Sequence, residues 1–157
     1  MIHPRLSVDG LSSIGWSFDQ DLALWRELGV RYAGILVSKI ADDPKGRMAR
    51  LRDAGIQPST IICGGFDIAA RNSWDETRSG IDALVDLMAD AGGGTVYFPP
   101  GRTTGASWRE VLDAFAEAVA PSVAHAKDRG VRLGIEPSLR TDVSFVNTLR
   151  DAIDVAE

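Results

Sequence analysis

Cysteine is all but missing from this chain: Cys63 stands alone. No internal disulfide framework can hold the fold, and a reducing compartment suits it. Histidine is scarce as well, with only His3 and His125; the first precedes the earliest predicted strand and the second falls inside a long predicted helix, so both read as structural or solvated. Positive charge is not in excess. The 17 Lys and Arg are outnumbered by 22 Asp and Glu, leaving a net charge of −5 with the two signs interspersed. No basic block follows a phosphate backbone, which argues against nucleic acid as a partner. No apolar run is long enough to span a membrane, and no apolar stretch follows the early Arg5 as a secretory signal requires. A cytoplasmic protein without a membrane partner is expected. Neither a Gly-x-Gly-x-x-Gly fingerprint nor a Walker-type loop occurs, so the nucleotide-binding open sheets lose their main support.

What is present is ordinary in amount and regular in order. With 157 residues, 45% of them hydrophobic and 25% charged, the chain suits one soluble domain over residues 1–157, burying roughly 70% of its unfolded surface. Four helix-like stretches end at Gly29, Gly55, Gly92 and Gly130 and run directly into strand-like segments. Glycine just past a helix end takes the left-handed conformation at no steric cost. Steps of roughly 25 to 40 residues between these glycines fit a strand, a crossover helix and two loops, and exclude a hairpin meander. Capping-box signatures at Ser17/Gln20, Ser73/Glu76 and Ser107/Glu110 mark helix starts. Phe18, Leu22, Trp25 and Leu28 form one apolar stripe, Ile81, Leu84, Val85 and Met88 a second, and Leu112, Phe115, Val119 and Val123 a third. Pro121 should kink or restart the last of these helices. The weakest helical pattern lies around Arg47 to Ala54. Strands are expected near Arg5–Asp9, Tyr32–Val37, Ser59–Cys63, Thr95–Phe98 and Arg132–Glu136. Such βαβα order means an α/β fold with a parallel sheet under helices, either an open doubly wound sheet or part of a barrel. The Gly92-Gly93-Gly94 run follows a helix instead of a strand and reads as a plain turn.

In parallel α/β folds the functional residues gather at the carboxyl ends of the strands. Glu136 is the most pointed candidate. Leu133 and Ile135 share one face of its strand, while Arg132, Gly134 and Glu136 share the other. If the aliphatic pair packs on the helices, Glu136 faces the mouth, where an isolated carboxylate must be hydrated, paired or bound to a cation. Asp9 can hydrogen-bond a sugar hydroxyl or cap the following turn. Lys39 suits a phosphate or oxyanion, or is a solvated loop lysine. Trp16 and Phe66 can wall a substrate pocket by stacking on a sugar face, or pack as ordinary loop aromatics. Cys63 is a soft ligand or a small buried filler.

The segments His3-Pro4-Arg5-Leu6-Ser7-Val8-Asp9, Trp16 to Val30 and Leu133-Gly134-Ile135-Glu136-Pro137, taken in order, resemble the xylose isomerase-like TIM barrels, the group of sugar phosphate isomerases/epimerases. The run from Asp142 to Ala156 resembles the helix after the fifth barrel strand there. The resemblance covers nearly the whole chain and implies a partial (β/α)8 barrel, about five βα units on a curved parallel sheet. It implies a divalent metal (Mn, Co, Mg or Zn) at the mouth, with Glu136 as ligand and catalytic carboxylate and a small sugar or polyol as substrate. An aspartate, a histidine and a second glutamate from strands six to eight complete the family's set; the chain stops at Glu157, where the sixth strand should begin. Cys63 stands where some relatives carry a histidine. The implied chemistry is proton transfer beside a metal-polarised carbonyl, with an inosose-type dehydratase of the same fold or a non-enzymatic sugar-binding half-barrel as alternatives. The abasic-site endonucleases share the barrel but need many histidines. An unclosed barrel has two bare edges and apolar inner faces, so little activity is expected from the chain alone, and a homo-oligomer is one way to complete it.

Overall fold

The structure is a computed structural model that describes His3, residues 5–103 and residues 105–157. The elements run β1 (Ser7–Asp9), α1 (Phe18–Leu28), β2 (Tyr32–Leu36), α2 (Pro44–Asp53), β3 (Gln57–Ile62), β4 (Phe66–Asp67), α3 (Trp74–Asp90), β5 (Thr95–Phe98), β6 (Gly101–Arg102), α4 (Trp108–Asp128), β7 (Arg132–Ile135) and α5 (Leu149–Ala156). Short 3-10 turns at Gly10–Ser13, Val37–Lys39 and Arg71–Ser73 follow β1, β2 and β4. The main sheet has the order β1-β2-β3-β5-β7, and every pairing in it is parallel. Each neighbour is reached through a helix, as the spacing of the glycines requires.

Alternation sorts the side chains. Ala33, Ile35, Ile61, Val96 and Phe98 are buried in one core with Phe18, Leu22, Trp25, Val85, Met88 and Phe115 of the helices. Leu133 and Ile135 pack against the same core, as expected. The other face is not the apolar surface anticipated for an open barrel. Ser7, Asp9, Thr60, Thr95, Tyr97 and Arg132 occupy it by register, with Leu36 and Ile62 as its apolar part. The helices take the greasy positions, and what remains faces the mouth.

This inner face is concave. Ser7 and Ser59 sit on strands two places apart, which lie roughly 10 Å apart in a flat sheet, yet their hydroxyls meet at 2.7 Å. A register shift between Ala33 and Gly34 accompanies the bend, the usual effect of a bulge.

The local signals mostly hold. Ser17 and Ser107 form complete capping boxes, and Gly29, Gly55 and Gly130 all have positive φ. Ser73 does not cap: its backbone is helical (φ −93°, ψ −6°) because a 3-10 turn runs straight into α3, and its hydroxyl donates to Ala70 O instead. The weak second helix starts early, at Pro44, where Asp43 caps the Gly46 amide and proline occupies the first turn. Pro121 neither ends nor restarts α4, which runs on to Asp128. Proline leaves the carbonyl four residues earlier without its helical donor. Here the Arg78 guanidinium of α3 donates to Glu117 O (3.2 Å) and Ala118 O (2.7 Å), so the proline joins α4 to α3. Arg78→Met is expected to lower stability by about 1–3 kcal/mol in urea denaturation, the cost of leaving such acceptors unmet. Ser73→Ala should fall below the ~1 kcal/mol typical of a lost cap. Equal losses in the two variants would contradict this assignment.

Candidate active site at the mouth of the sheet

Asp9 ends β1 and begins the turn Gly10–Ser13. One carboxylate oxygen accepts from the Leu11 amide at 2.7 Å. The other lies over β2: a Cβ built on Gly34 would come within 2.0 Å of Asp9 Oδ2 and 2.8 Å of Thr60 Oγ1. Gly34 is therefore the gap in the inner wall that lets the carboxylate lie inward, towards Thr60 of β3. Asp9 serves as a turn cap and as a group of the inner face at once.

Glu136 follows β7 directly, its amide donating to Phe98 O at 2.9 Å. Beneath it Gly134 leaves room for Tyr97 of β5, since a Cβ there would stand 3.3 Å from Tyr97 Cβ. Burial, then the negative charge of Asp9, raises the Glu136 carboxyl above its ordinary range. Burial, the charges of Asp9 and Glu136, and a hydrogen bond to Asp9 push the Tyr97 phenol up to about 12. On a flat sheet β1 and β7 would be roughly 19 Å apart; the concavity brings their end residues within reach of one another. Among the described residues no ion pair involves Asp9 or Glu136. Glu136 also borders a cleft of about 410 Å³ with Leu36, Ile62, Cys63, Pro99 and Arg140, the last paired with Asp142.

Tyr97 was absent from the sequence candidates. Its signal was a tyrosine at an inward position of an otherwise apolar strand, visible only once the inner face was known. The remaining candidates fall elsewhere. Lys39 is not free at the mouth: its ammonium donates to Asp21 (2.5 Å), Gly10 O (2.8 Å) and Ser13 O (2.7 Å), with the side chain 7% exposed. Phe66 is not a pocket wall. β4 turns it into the core, 1% exposed, edge-on to Phe98 and Phe115. That turn depends on a parallel β4–β6 pair whose backbones approach so closely at Gly65 and Gly101 that a Cβ on either would overlap a carbonyl. Trp16 stands 45% exposed on the loop before α1. Cys63 is partly buried, its thiol pushed up to about 11 by burial, which keeps it protonated at neutral pH and a poor ligand. His3 is exposed and accepts from the Arg5 amide. His125 pairs with Asp86 on the helix side.

The described residues contain no cluster of three or more His, Cys, Asp or Glu able to hold a metal ion. They offer two converging carboxylates, a fraction of the roughly six donors that hard divalent ions prefer. No helix among the described residues is long and apolar enough to cross a membrane.

A curved parallel sheet with acids at its carboxyl ends defines a barrel of the type that carries its chemistry at that rim. The chain belongs to the xylose isomerase-like TIM barrel family, whose model matches residues 22–157. No curated protein matches it by sequence. Among solved structures it is similar to protein SMc04130 from Sinorhizobium meliloti 1021 (22% identity, TM-score 0.79, 96% of this chain and 58% of that one). It is also similar to an IolI protein with a bound zinc atom (15%, 0.78, 95% and 56%) and to an L-ribulose 3-epimerase (22%, 0.73, 98% and 56%). At these identities the likeness shows the fold, and the chain spans a little over half the length of those structures.

Two measurements check this geometry. Gly34→Ala should cost about 1–3 kcal/mol, the range for overpacking, and Asp9→Ala should relieve part of that loss by removing the clashing carboxylate; additive losses would contradict the contact. Native Cys63 should react with a thiol reagent far more slowly than in the unfolded chain, and accelerate only as the pH climbs towards 11. Rapid labelling of the native protein at pH 8 would contradict its burial.

Proposed function

We propose that this mouth serves a sugar isomerase or epimerase, in which a proton moves next to a carbonyl of a small ketose or its phosphate. The observation carrying the proposal is that Asp9 and Glu136 lie near enough for the charge of one to raise the carboxyl of the other, while neither enters an ion pair among the described residues. Two acids near one another at a partly desolvated mouth favour a proton, a cation, or a substrate rich in hydroxyl donors. A sugar supplies the last of these. Asp9, already oriented by the Leu11 amide, accepts from a sugar hydroxyl. Glu136 accepts no side-chain hydrogen bond among the described residues and is the carboxylate left to take or return a proton.

Glu136 also suits one position in the shell of a divalent cation (Mn, Co, Mg or Zn), with the other ligands from outside the described residues. Such an ion would polarise the substrate carbonyl. The family and the sugar epimerases of the same fold support this reading, and the net charge of −5 disfavours nucleic acid. A reducing, cytoplasmic setting suits the protonated Cys63. A second reading within the same fold is dehydration of a cyclic polyol, which starts from the same proton abstraction.

The test is deuterium exchange from D2O into a panel of ketopentoses and ketohexoses with Mn²⁺ or Co²⁺, using the protein as its own cell produces it. Exchange at a carbon beside the carbonyl, lost by at least about a hundredfold in Glu136→Gln, is expected; a dehydratase would release water and leave an unsaturated product. In the metal-free protein the Glu136 carboxyl should protonate above the ordinary carboxylate range as pH falls, a shift read from its side-chain carboxyl 13C resonance. Undiminished exchange in Glu136→Gln would overturn the assignment.

A further inference from the structure

We propose that the buried Lys39–Asp21 pair is a positioning device that holds Asp9 in its inward orientation. The inference rests on the reading of Asp9 as a substrate-facing group and goes beyond it, because neither Lys39 nor Asp21 lies on the inner face of the sheet. The two side chains are 7% and 1% exposed. A buried pair of this kind is seldom a source of net stability, since desolvation consumes most of its attraction. Its geometry suggests a different use.

The ammonium closes on both ends of the turn that Asp9 caps. Lys39 Nζ donates to Gly10 O at 2.8 Å and to Ser13 O at 2.7 Å, while Asp21 accepts from Lys39 and, at 2.6 Å, from the Ser13 hydroxyl. Asp9 Oδ1 holds the Leu11 amide inside the same turn. The first residue of the turn is packed against the pair: a Cβ on Gly10 would lie 3.2 Å from Asp21 Oδ2 and 3.7 Å from Lys39 Nζ. Lys39 ends the 3-10 turn after β2, and Asp21 lies in the first turn of α1. The pair therefore fixes the β1–α1 connection to the end of β2. The Asp9 carboxylate, attached at one end of that connection and resting over Gly34 of β2, has its position set from both sides.

Three variants test this. Lys39→Met removes the donors, Asp9→Asn alters the group proposed to be positioned, and the double variant Asp21→Leu with Lys39→Met replaces the pair by apolar side chains, a change that buried pairs often tolerate. The double variant carries the test if Lys39→Met alone does not fold. The first readout needs no activity. Hydrogen exchange at the Leu11 amide should accelerate at least about tenfold, with the sheet amides of Ile61 and Val96 unchanged. The second is ketohexose deuterium exchange, where loss of the clamp should lower kcat/KM by about ten- to a hundredfold, as small misplacements of an active group do. It should cost nothing further in an Asp9→Asn background. Unchanged Leu11 protection would overturn the proposal, as would an equal loss in both backgrounds, which marks a general packing effect. If the unaltered protein shows no deuterium exchange, the isomerase reading fails and Leu11 protection alone decides the positioning role.

Discussion

Two carboxylates at the carboxyl ends of the two edge strands of one concave parallel sheet, near enough for the charge of Asp9 to raise the Glu136 carboxyl, are the constraint around which the rest of the molecule is arranged. Asp9 and Glu136 belong to the two edge strands of that sheet or follow directly from them, and only its concavity brings them together. A flat sheet of the same residues would separate them beyond useful interaction. The curvature in turn follows from the division of side chains: helices cover the outer face with a continuous apolar core, and small or polar residues on the inner face let the strands close in. Gly34 and Gly134 are where this is most visible. Each is the point at which a neighbouring side chain, Asp9 or Tyr97, occupies the space a Cβ would take or border.

Charge is distributed to the same end. Lys39, at the carboxyl end of β2, has its donors taken up by Asp21 and the backbone of the Asp9 turn. Arg132 is engaged with Thr95 at the start of its strand, and Arg140, which borders the Glu136 cleft, pairs with Asp142. The mouth is left negative, with a neutral tyrosine between its acids. Such an arrangement attracts hydroxyl-rich or cationic ligands.

The parts of the fold written in local chemistry were legible in the sequence. The glycines after the helices, the Ser17 and Ser107 capping boxes and the alternation in Arg132–Glu136 depend on neighbours a few residues away, and they led to the right order of elements and to Leu133 and Ile135 packing on the core. What failed depended on distant partners. Ser73 carries the capping pattern, but a preceding 3-10 turn denies it the extended backbone that a cap needs. Pro121 is tolerated because Arg78, on another helix, satisfies the carbonyls it disturbs. Phe66 is drawn inward by a two-residue strand pair too short to leave a pattern. Lys39 looked like a free cation because its partner lies 18 residues earlier. Tyr97 was missed for a different reason: a tyrosine suits an apolar face as readily as a polar one, so its strand does not say which way it points.

The most direct test of the central claim is where a divalent cation settles. In 1H–15N spectra of the labelled protein, added Mn²⁺ should broaden the amides around Asp9, Tyr97 and Glu136 first, and Glu136→Gln should weaken that pattern. Broadening centred on the outer acids Asp42, Asp43 and Asp86, with the mouth untouched, would contradict the account.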